Sequence, residues 1–553
     1  MERKSLILLI AISVLGFLLR FLFLGSNPPS LNWDEVSHGY NAYSVLKTGH
    51  DQWGNLPIFN FRAYGDYPTT LNLYLTIPFV AAFGLTELSV RLPHAILGTL
   101  TILSVYFLTL GITKKKNAGL FAAFLVAIGP WYVFTSRFVL QSNLSVFLMS
   151  TAAALFVNRD KNKFFIPGSL FLLYLSLFSY HTTRIFSPLI LLSAIFIYRN
   201  ELITFIKNNR IVGKIFASVI ALFFVLTAII LVNPDSRARG SVLFLIDQGA
   251  VNRIVDARNS SSLPMFAKRI LYNRPVYFVK KFTANYLTYF SPKFLFFQGG
   301  TQYQFSLPGF GLIYPVSLPL FYIGLFLLVI KSFKDKNMKL LLFWIILSPI
   351  PASITNEAYT VLRATTMLPV PEVIMSIAAY ELISRIKGKY KIVILLLYFL
   401  SLIFCAYKYL DNYFISYPKD YSWSWQYGYK EAVKYSKENY GDYDKIIVTK
   451  KYGEPHQYFL YFMSWDPSTY QNDKNAIKFF QSGWYWVDKF DKFYFVNDWQ
   501  VKDMKLESGR LVDCQKESCL LITSPNNFPD GWKKLETIKF LDGKPVFEIY
   551  ENK

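Results

Sequence analysis

Long apolar runs separated by short basic stretches occupy the chain from its start to about residue 410, and beyond that point charges are spread throughout. The runs at 5–24, 93–113, 117–134, 143–158, 164–180, 185–198, 215–232, 308–331, 339–355, 366–385 and 391–410 approach the roughly 17–25 apolar residues that a hydrocarbon core of about 30 Å demands of a helix. They predict about eleven transmembrane helices, the shorter of which need neighbours to shield their ends. From Asp411 amphipathic segments take over. Gln426–Glu438 reads as a helix, and Lys445–Thr449, Lys492–Val496 and Cys519–Thr523 read as strands. Thr537–Leu541 and Pro545–Tyr550 read as a hairpin across Asp542-Gly543, because hydrophobic alternation ends there in turn residues. The expected architecture is a polytopic α-helical membrane domain over 1–410, with outer loops 25–92 and 233–307, followed by a small soluble α/β domain over 411–553.

Short basic loops stay on the cytoplasmic side of a membrane. The clusters Glu2-Arg3-Lys4, Lys114–Lys116, Arg159–Lys163, Arg199–Lys214, Lys331–Lys339 and Ser384–Lys391 fall on one side only if the apolar segment 71–87 does not cross. That segment is therefore expected to be juxtamembrane or re-entrant. The N-terminus is then cytoplasmic and the C-terminal domain extracytoplasmic, in a plasma or inner membrane. The first segment is long and lacks a small-residue cleavage site, so it reads as a retained anchor.

Composition agrees with this picture: 53% of the 553 residues are hydrophobic, 18% aromatic and only 17% charged. The formal charge of +22 would otherwise suggest nucleic acid, but most of the basic clusters lie in the loops where topology alone accounts for them. No nucleic-acid partner is expected. Of the three cysteines, Cys405 lies in the last apolar run, while Cys514 and Cys519 flank a turn and could be either bridged or two thiols.

Candidate chemistry concentrates in the first outer loop. Asp34, Glu35, His38, Asp51, Arg62, Asp66, Arg91 and His94 are interleaved there with Trp33, Tyr40, Tyr43, Trp53, Tyr64 and Tyr67. Rings stack on sugar faces, cations hold phosphate oxygens, and a carboxylate accepts the proton of an attacking hydroxyl. Two plainer readings remain open: such residues also decorate a wet interface, and an acidic pair also suits a helix N-terminus. Asp34 and His38, four residues apart on a helix, could ligate a divalent metal, but no third ligand stands out. No cofactor is otherwise implied.

The run from Asp34-Glu35 through Gly39-Tyr40-Asn41-Ala42-Tyr43-Ser44, Leu46-Lys47-Thr48-Gly49, Asp51 and Gly54 resembles the first outer loop of GT-C glycosyltransferases of the protein O-mannosyltransferase and aminoarabinose transferase type. Gly65-Asp66-Tyr67-Pro68, Arg91-Leu92-Pro93, Ser136-Arg137, Tyr180-His181 with Arg184, Leu307-Pro308-Gly309, Pro351-Ala352 and Leu362-Arg363-Ala364 are similar to further family segments, in order over about 1–410. The family often carries Lys-Pro-Pro after the tyrosine, whereas Pro68-Thr69-Thr70 follows here.

The resemblance implies an inverting glycosyltransferase that moves a sugar from a polyprenyl-phosphate donor to an acceptor hydroxyl on a protein, glycolipid or polysaccharide at the outer membrane face. Asp34 is then the general base, with Glu35 in support or in acceptor contact. Asp66 and His181 position the acceptor, and Arg91, Arg137, Arg184 and Arg363 bind the donor phosphate. A transporter or lipid flippase is the alternative; it predicts charges near the bilayer midplane and repeated halves, which the sequence does not show.

Overall fold

The computed structural model describes residues 3–233 and 244–552; Glu2 of the first basic cluster and 234–243 of the second outer loop lie outside them. Packing divides the chain into two compact units. The first comprises 1–22, 94–136 and 140–410; the second gathers 23–93, 137–139 and 411–553. The second unit is therefore larger than the 411–553 segment, because the first outer loop packs with it.

The first unit is helical. Among the described residues, Arg3–Phe21, Glu87–Thr113, Thr183–Asn208, Gly213–Val232, Pro315–Ser332 and Lys389–Asp420 are the six stretches long and apolar enough to cross a membrane unaided. Val361–Met367 and Val370–Arg385, bent by 50°, form a broken seventh. Lys116–Ile128, Gln141–Val157 and Phe165–Ser176 are shorter apolar helices. Thr183–Asn208 breaks at Tyr198, where the apolar run 185–198 ends. Two charged side chains inside the bundle have polar partners. Arg20 donates to the carbonyls of Gly16, Val126 and Ala127 at 2.9–3.0 Å, and the Tyr132 hydroxyl donates to Glu372 at 2.8 Å. Burial without such partners would cost several kcal/mol per group.

The second unit is built on a seven-stranded mixed sheet in the order β2-β3-β4-β1-β5-β7-β6. Its strands are β1 (Lys445–Thr449), β2 (Ile477–Gln481), β3 (Trp484–Phe490), β4 (Phe493–Val496), β5 (Cys519–Thr523), β6 (Lys533–Lys539) and β7 (Pro545–Asn552). The central β1 runs parallel to β4 and β5, and the remaining pairs are antiparallel. Strand alternation sends successive side chains to opposite faces. Ile446, Val448, Phe493, Phe495, Leu520, Ile522, Phe547 and Ile549 face one core, and Ile447, Val496, Leu521 and Tyr550 the other.

The predicted helix 426–438 is observed as Tyr429–Glu438, and the first strand of the final hairpin lies earlier than expected, at Lys533–Lys539. The β2–β3 hairpin was not anticipated; it turns at Ser482 and Gly483, both at positive φ. Cys514 and Cys519 are bonded.

The loop helix Trp33–Thr48 joins the first of these cores through Val36 and Tyr40, alongside Tyr458–Tyr461 of the helix Pro455–Phe462. The approach is close enough that a Cβ on Gly39 would lie 2.6 Å from both the Tyr461 ring and Val90. The other loop helix, Thr70–Phe83, occupies most of the apolar segment 71–87 and is 14 residues long.

Candidate active site

The first turn of the helix Trp33–Thr48 separates the two adjacent acids. Asn32 caps it: the Asn32 side chain accepts from Glu35 N at 2.9 Å while Glu35 Oε2 accepts from Asn32 N at 3.2 Å. This reciprocal capping box satisfies donors that a helix start leaves orphaned, and it turns Glu35 inward. Arg91 meets it there, with Nε and Nη2 donating to the two carboxylate oxygens at 3.0 and 3.1 Å. Val139 N adds a bond to Glu35 Oε1 at 3.1 Å. Both side chains of the pair are fully buried.

The remaining Arg91 donors hold the chain entering the loop. Nη1 bonds Leu24 O and Pro28 O at 3.1 and 2.9 Å, and Nη2 bonds Ser30 O at 2.5 Å. A guanidinium has five N–H groups, and every nitrogen of Arg91 is occupied within the second unit. Arg137 reinforces the same segment: Nη2 donates to Asn27 O at 2.9 Å and Nε to the Tyr413 hydroxyl at 3.2 Å. Its guanidinium lies 5.0 Å from the Phe414 ring centre.

Asp34 points the other way and is exposed. Aromatic groups lie close by. The Tyr64 hydroxyl donates to Trp33 O at 2.6 Å, and its ring stacks on Trp484 with centres 5.8 Å apart. The Tyr64 phenol is held well above its usual range, mainly by burial, with the charges of Asp34 and Glu454 adding to the effect. Trp484 is fixed in turn by its indole N–H donating to Glu454 at 2.6 Å. A Cβ on Gly65 would stand 2.5 Å from the Trp484 ring, so glycine permits the hairpin and the loop to meet. Tyr67 and Tyr485 share a hydrogen bond at 2.7 Å, and Arg62 lies 4.5 Å over the Tyr485 ring.

Asp66 is half-buried and accepts from Tyr67 N at 2.8 Å, which is turn chemistry that leaves part of the carboxylate open to solvent. Asp51, by contrast, is buried and ties the loop together by accepting from the backbone of Trp53, Asn55 and Arg62. His38 is a core histidine. Its ring packs edge-on to Phe61, and burial lowers its pKa from 6.5 to about 4. Among the described residues there is no group of three or more His, Cys, Asp or Glu placed to hold a metal.

The first unit carries its own cationic group. In the first turn of Thr183–Asn208, Arg184 Nε donates to Leu177 O at 3.2 Å, and Nη1 lies 3.2 Å from Nδ1 of His181 just before the helix. Arg363 donates to Thr355 Oγ1 at 2.9 Å and pairs with Glu357 at 2.9 Å. Both arginines are buried. The His181 pKa is lowered to about 3, first by burial and then by the charges of Arg184 and Arg363, so the imidazole is neutral at ordinary pH. The structure thus brings Asp34, Glu35, Asp66, Arg91 and Arg137 into one unit and His181, Arg184 and Arg363 into the other. Sequence reasoning missed Trp484 and Glu454. A Ser-Gly turn dipeptide inside an aromatic run was the available signal for Trp484; nothing in the sequence pointed to Glu454.

A family model for dolichyl-phosphate-mannose-protein mannosyltransferase matches residues 10–233. No curated protein sequence matches the chain. Among solved structures, ArnT from Cupriavidus metallidurans, bound to undecaprenyl phosphate, superposes with a TM-score of 0.52 at 11% identity over 100% of this chain and 99% of that one. The oligosaccharyltransferase AglB from Archaeoglobus fulgidus, in complex with an inhibitory peptide and a dolichol-phosphate, gives a TM-score of 0.51 at 14% identity over 83% of this chain. The chain spans 63% of that archaeal protein's length. The chain has a GT-C fold. The GT-C assignment also accounts for a family match that starts in the first apolar helix and takes in the acidic loop.

Proposed function

We propose that this GT-C protein is a membrane glycosyltransferase that takes a sugar from a polyprenyl-phosphate donor and transfers it, with inversion, to an acceptor hydroxyl at the outer face of the membrane. The observation that carries the reading is the division of labour at the head of the loop helix. Glu35 is buried in a closed ion pair, while Asp34 is presented to solvent beside aromatic rings. The neighbours add weight, since one was solved with undecaprenyl phosphate and another with a dolichol-phosphate.

In this mechanism Asp34 is the general base. It accepts the acceptor's proton as that oxygen bonds to the anomeric carbon, and the bond to the lipid phosphate breaks on the opposite side. Glu35 and Arg91 are positioning residues, because their mutual bonds leave neither group available to substrate. Asp66 and the neutral His181 orient the acceptor. Negative charge grows on the departing lipid phosphate, so fixed cations lower the barrier; Arg137, Arg184 and Arg363 take this role. The reading includes about eleven crossings, a cytoplasmic N-terminus and an outer C-terminal domain in the plasma or inner membrane.

The test is Asp34→Asn with a radiolabelled polyprenyl-phosphate sugar. General-base catalysis contributes roughly 10²–10⁴-fold, so transfer should fall by that factor while folding is unchanged. Turnover at the normal rate would overturn the assignment.

A further inference from the structure

At the basic end of the first unit, a cavity of about 550 Å³ opens between helix ends and is lined by Lys115, Lys331, Lys334, Tyr380 and Glu381 over a floor of Ile112, Ile330 and Met338. Its acids are engaged. Glu381 pairs with Lys331 at 2.5 Å, and Asp335 caps the next helix through the backbone of Asn337 and Met338. Lys115 and Lys334 are exposed and have no carboxylate partner among the described residues. The Lys115 ammonium lies 5.7 Å over the Tyr380 ring.

Tyr380 also lines a second cavity, of about 610 Å³. This one is an apolar groove, with Phe121, Ile383, Leu395, Tyr398 and Phe399 on its walls and Lys391 at its basic end. Along the helix Lys389–Asp411, the eight residue steps from Lys391 to Phe399 extend the groove by about 12 Å at 1.5 Å per residue. Most of the apolar surface in the stretch Lys389–Asp420 is left uncovered by the rest of the protein. Inside a bilayer a groove of this kind fills with hydrocarbon, and basic pockets between helices take anionic headgroups.

We propose that the two cavities form a binding site for one diacyl anionic phospholipid, its phosphate among Lys115, Lys334 and Lys391 and an acyl chain along Leu395. Charge complementarity selects this occupant over a zwitterionic lipid. Tyr380, which lines both cavities, lies ten residue steps into the helix Val370–Arg385, about 15 Å along it at 1.5 Å per residue, and Arg363 precedes that helix in sequence. The proposal does not depend on the transfer chemistry.

The experiment is native mass spectrometry of the purified full chain, delipidated and then offered phosphatidylglycerol, phosphatidylcholine of the same acyl chains, or undecaprenyl phosphate. A juxtamembrane lysine changes anionic-lipid affinity by roughly fivefold, so phosphatidylglycerol should be retained about tenfold or more over phosphatidylcholine. The triple substitution Lys115→Gln, Lys334→Gln, Lys391→Gln should erase that preference, and the corresponding triple arginine variant should keep it. Leu395→Trp, which fills the groove, should weaken retention with all charges in place. Equal retention of the two phospholipids by the unsubstituted protein overturns the proposal without reference to any variant. So does an unchanged preference in the glutamine variant, and preferential retention of undecaprenyl phosphate reassigns the groove to a polyprenyl chain.

Discussion

Replacing Glu35 with Ala removes the acceptor for Arg91 Nε and Nη2, for Val139 N and for Asn32 N in one step. Arg91 is left charged and fully buried. Breaking a buried pair by deleting one partner typically costs about 3–5 kcal/mol, a sizeable share of the roughly 5–15 kcal/mol that holds a domain folded. Glu35→Ala should therefore lower unfolding stability by about that amount, followed by tryptophan fluorescence during denaturation in detergent.

Arg91→Met should do similar damage, because it also strips donors from the carbonyls of Leu24, Pro28 and Ser30. The double variant Glu35→Ala, Arg91→Met should lose less than the sum of the singles, with a coupling of about 2 kcal/mol. A Glu35→Ala protein within about 1 kcal/mol of the parent would refute the claim that this pair builds the site. Activity supplies an independent readout. If Glu35 only positions Asp34, Glu35→Gln lowers kcat yet keeps the acid limb of the pH profile. If Glu35 were the base, that limb would disappear.

Three further outcomes follow from the same geometry. His38 titrates at about 4 in the fold against 6.5 outside it, so the unfolded chain binds the extra proton between those values. Stability is then complete above pH 6.5 and falls by up to about 3 kcal/mol towards pH 4; His38→Leu should flatten this part of the denaturation profile, and an unchanged slope would show that His38 is not its source. Arg184→Gln and Arg363→Gln should each weaken donor-dependent transfer by about tenfold or more, one charged hydrogen bond being worth about 1.5–3 kcal/mol, as read from initial rates with labelled donor. Reducing the Cys514–Cys519 bond, which closes a short loop of sequence separation 5, should lower stability of the second unit by about 2 kcal/mol, visible as a shift in its denaturation midpoint.

What the sequence disclosed depended on how local each signal was. Apolar runs are local, and helices stand at the predicted places, although only six among the described residues are long and apolar enough alone. Short apolar runs rich in β-formers are local too, so Lys445–Thr449 and Cys519–Thr523, buried on both faces, are observed with the bounds read from sequence. The β2–β3 hairpin escaped notice because Trp484, Tyr485 and Trp486 are all half-buried, which blurs the contrast between faces that a period of two needs. The association of the first loop with the tail rests on contacts such as the Tyr40 hydroxyl donating to Trp465 O, 425 residues away. No hydrophobic pattern encodes a contact of that range. Arg91 likewise looked like a phosphate ligand, since its position beside a loop is visible in sequence and the three carbonyls around it are not.

The separation of Asp34 from Glu35 is a mechanical result of helix geometry. Successive residues on an α-helix are turned by about 100°, so Asp34 and Glu35 leave the helix in different directions. The capping box fixes Glu35 as the third helical residue, with its side chain folded back to Asn32 N, and the ion pair with Arg91 holds it there. Asp34, one step earlier, is thereby turned out to solvent at the helix N-terminus. The ionised carboxylate is the form that can accept a proton. An acid at position 34 without a buried acid at 35 would lack this restraint, so exchanging the two identities by Asp34→Glu with Glu35→Asp is a stringent test. The shorter side chain then standing at position 35 would fall short of Arg91, and both stability and transfer should suffer although composition and charge stay the same.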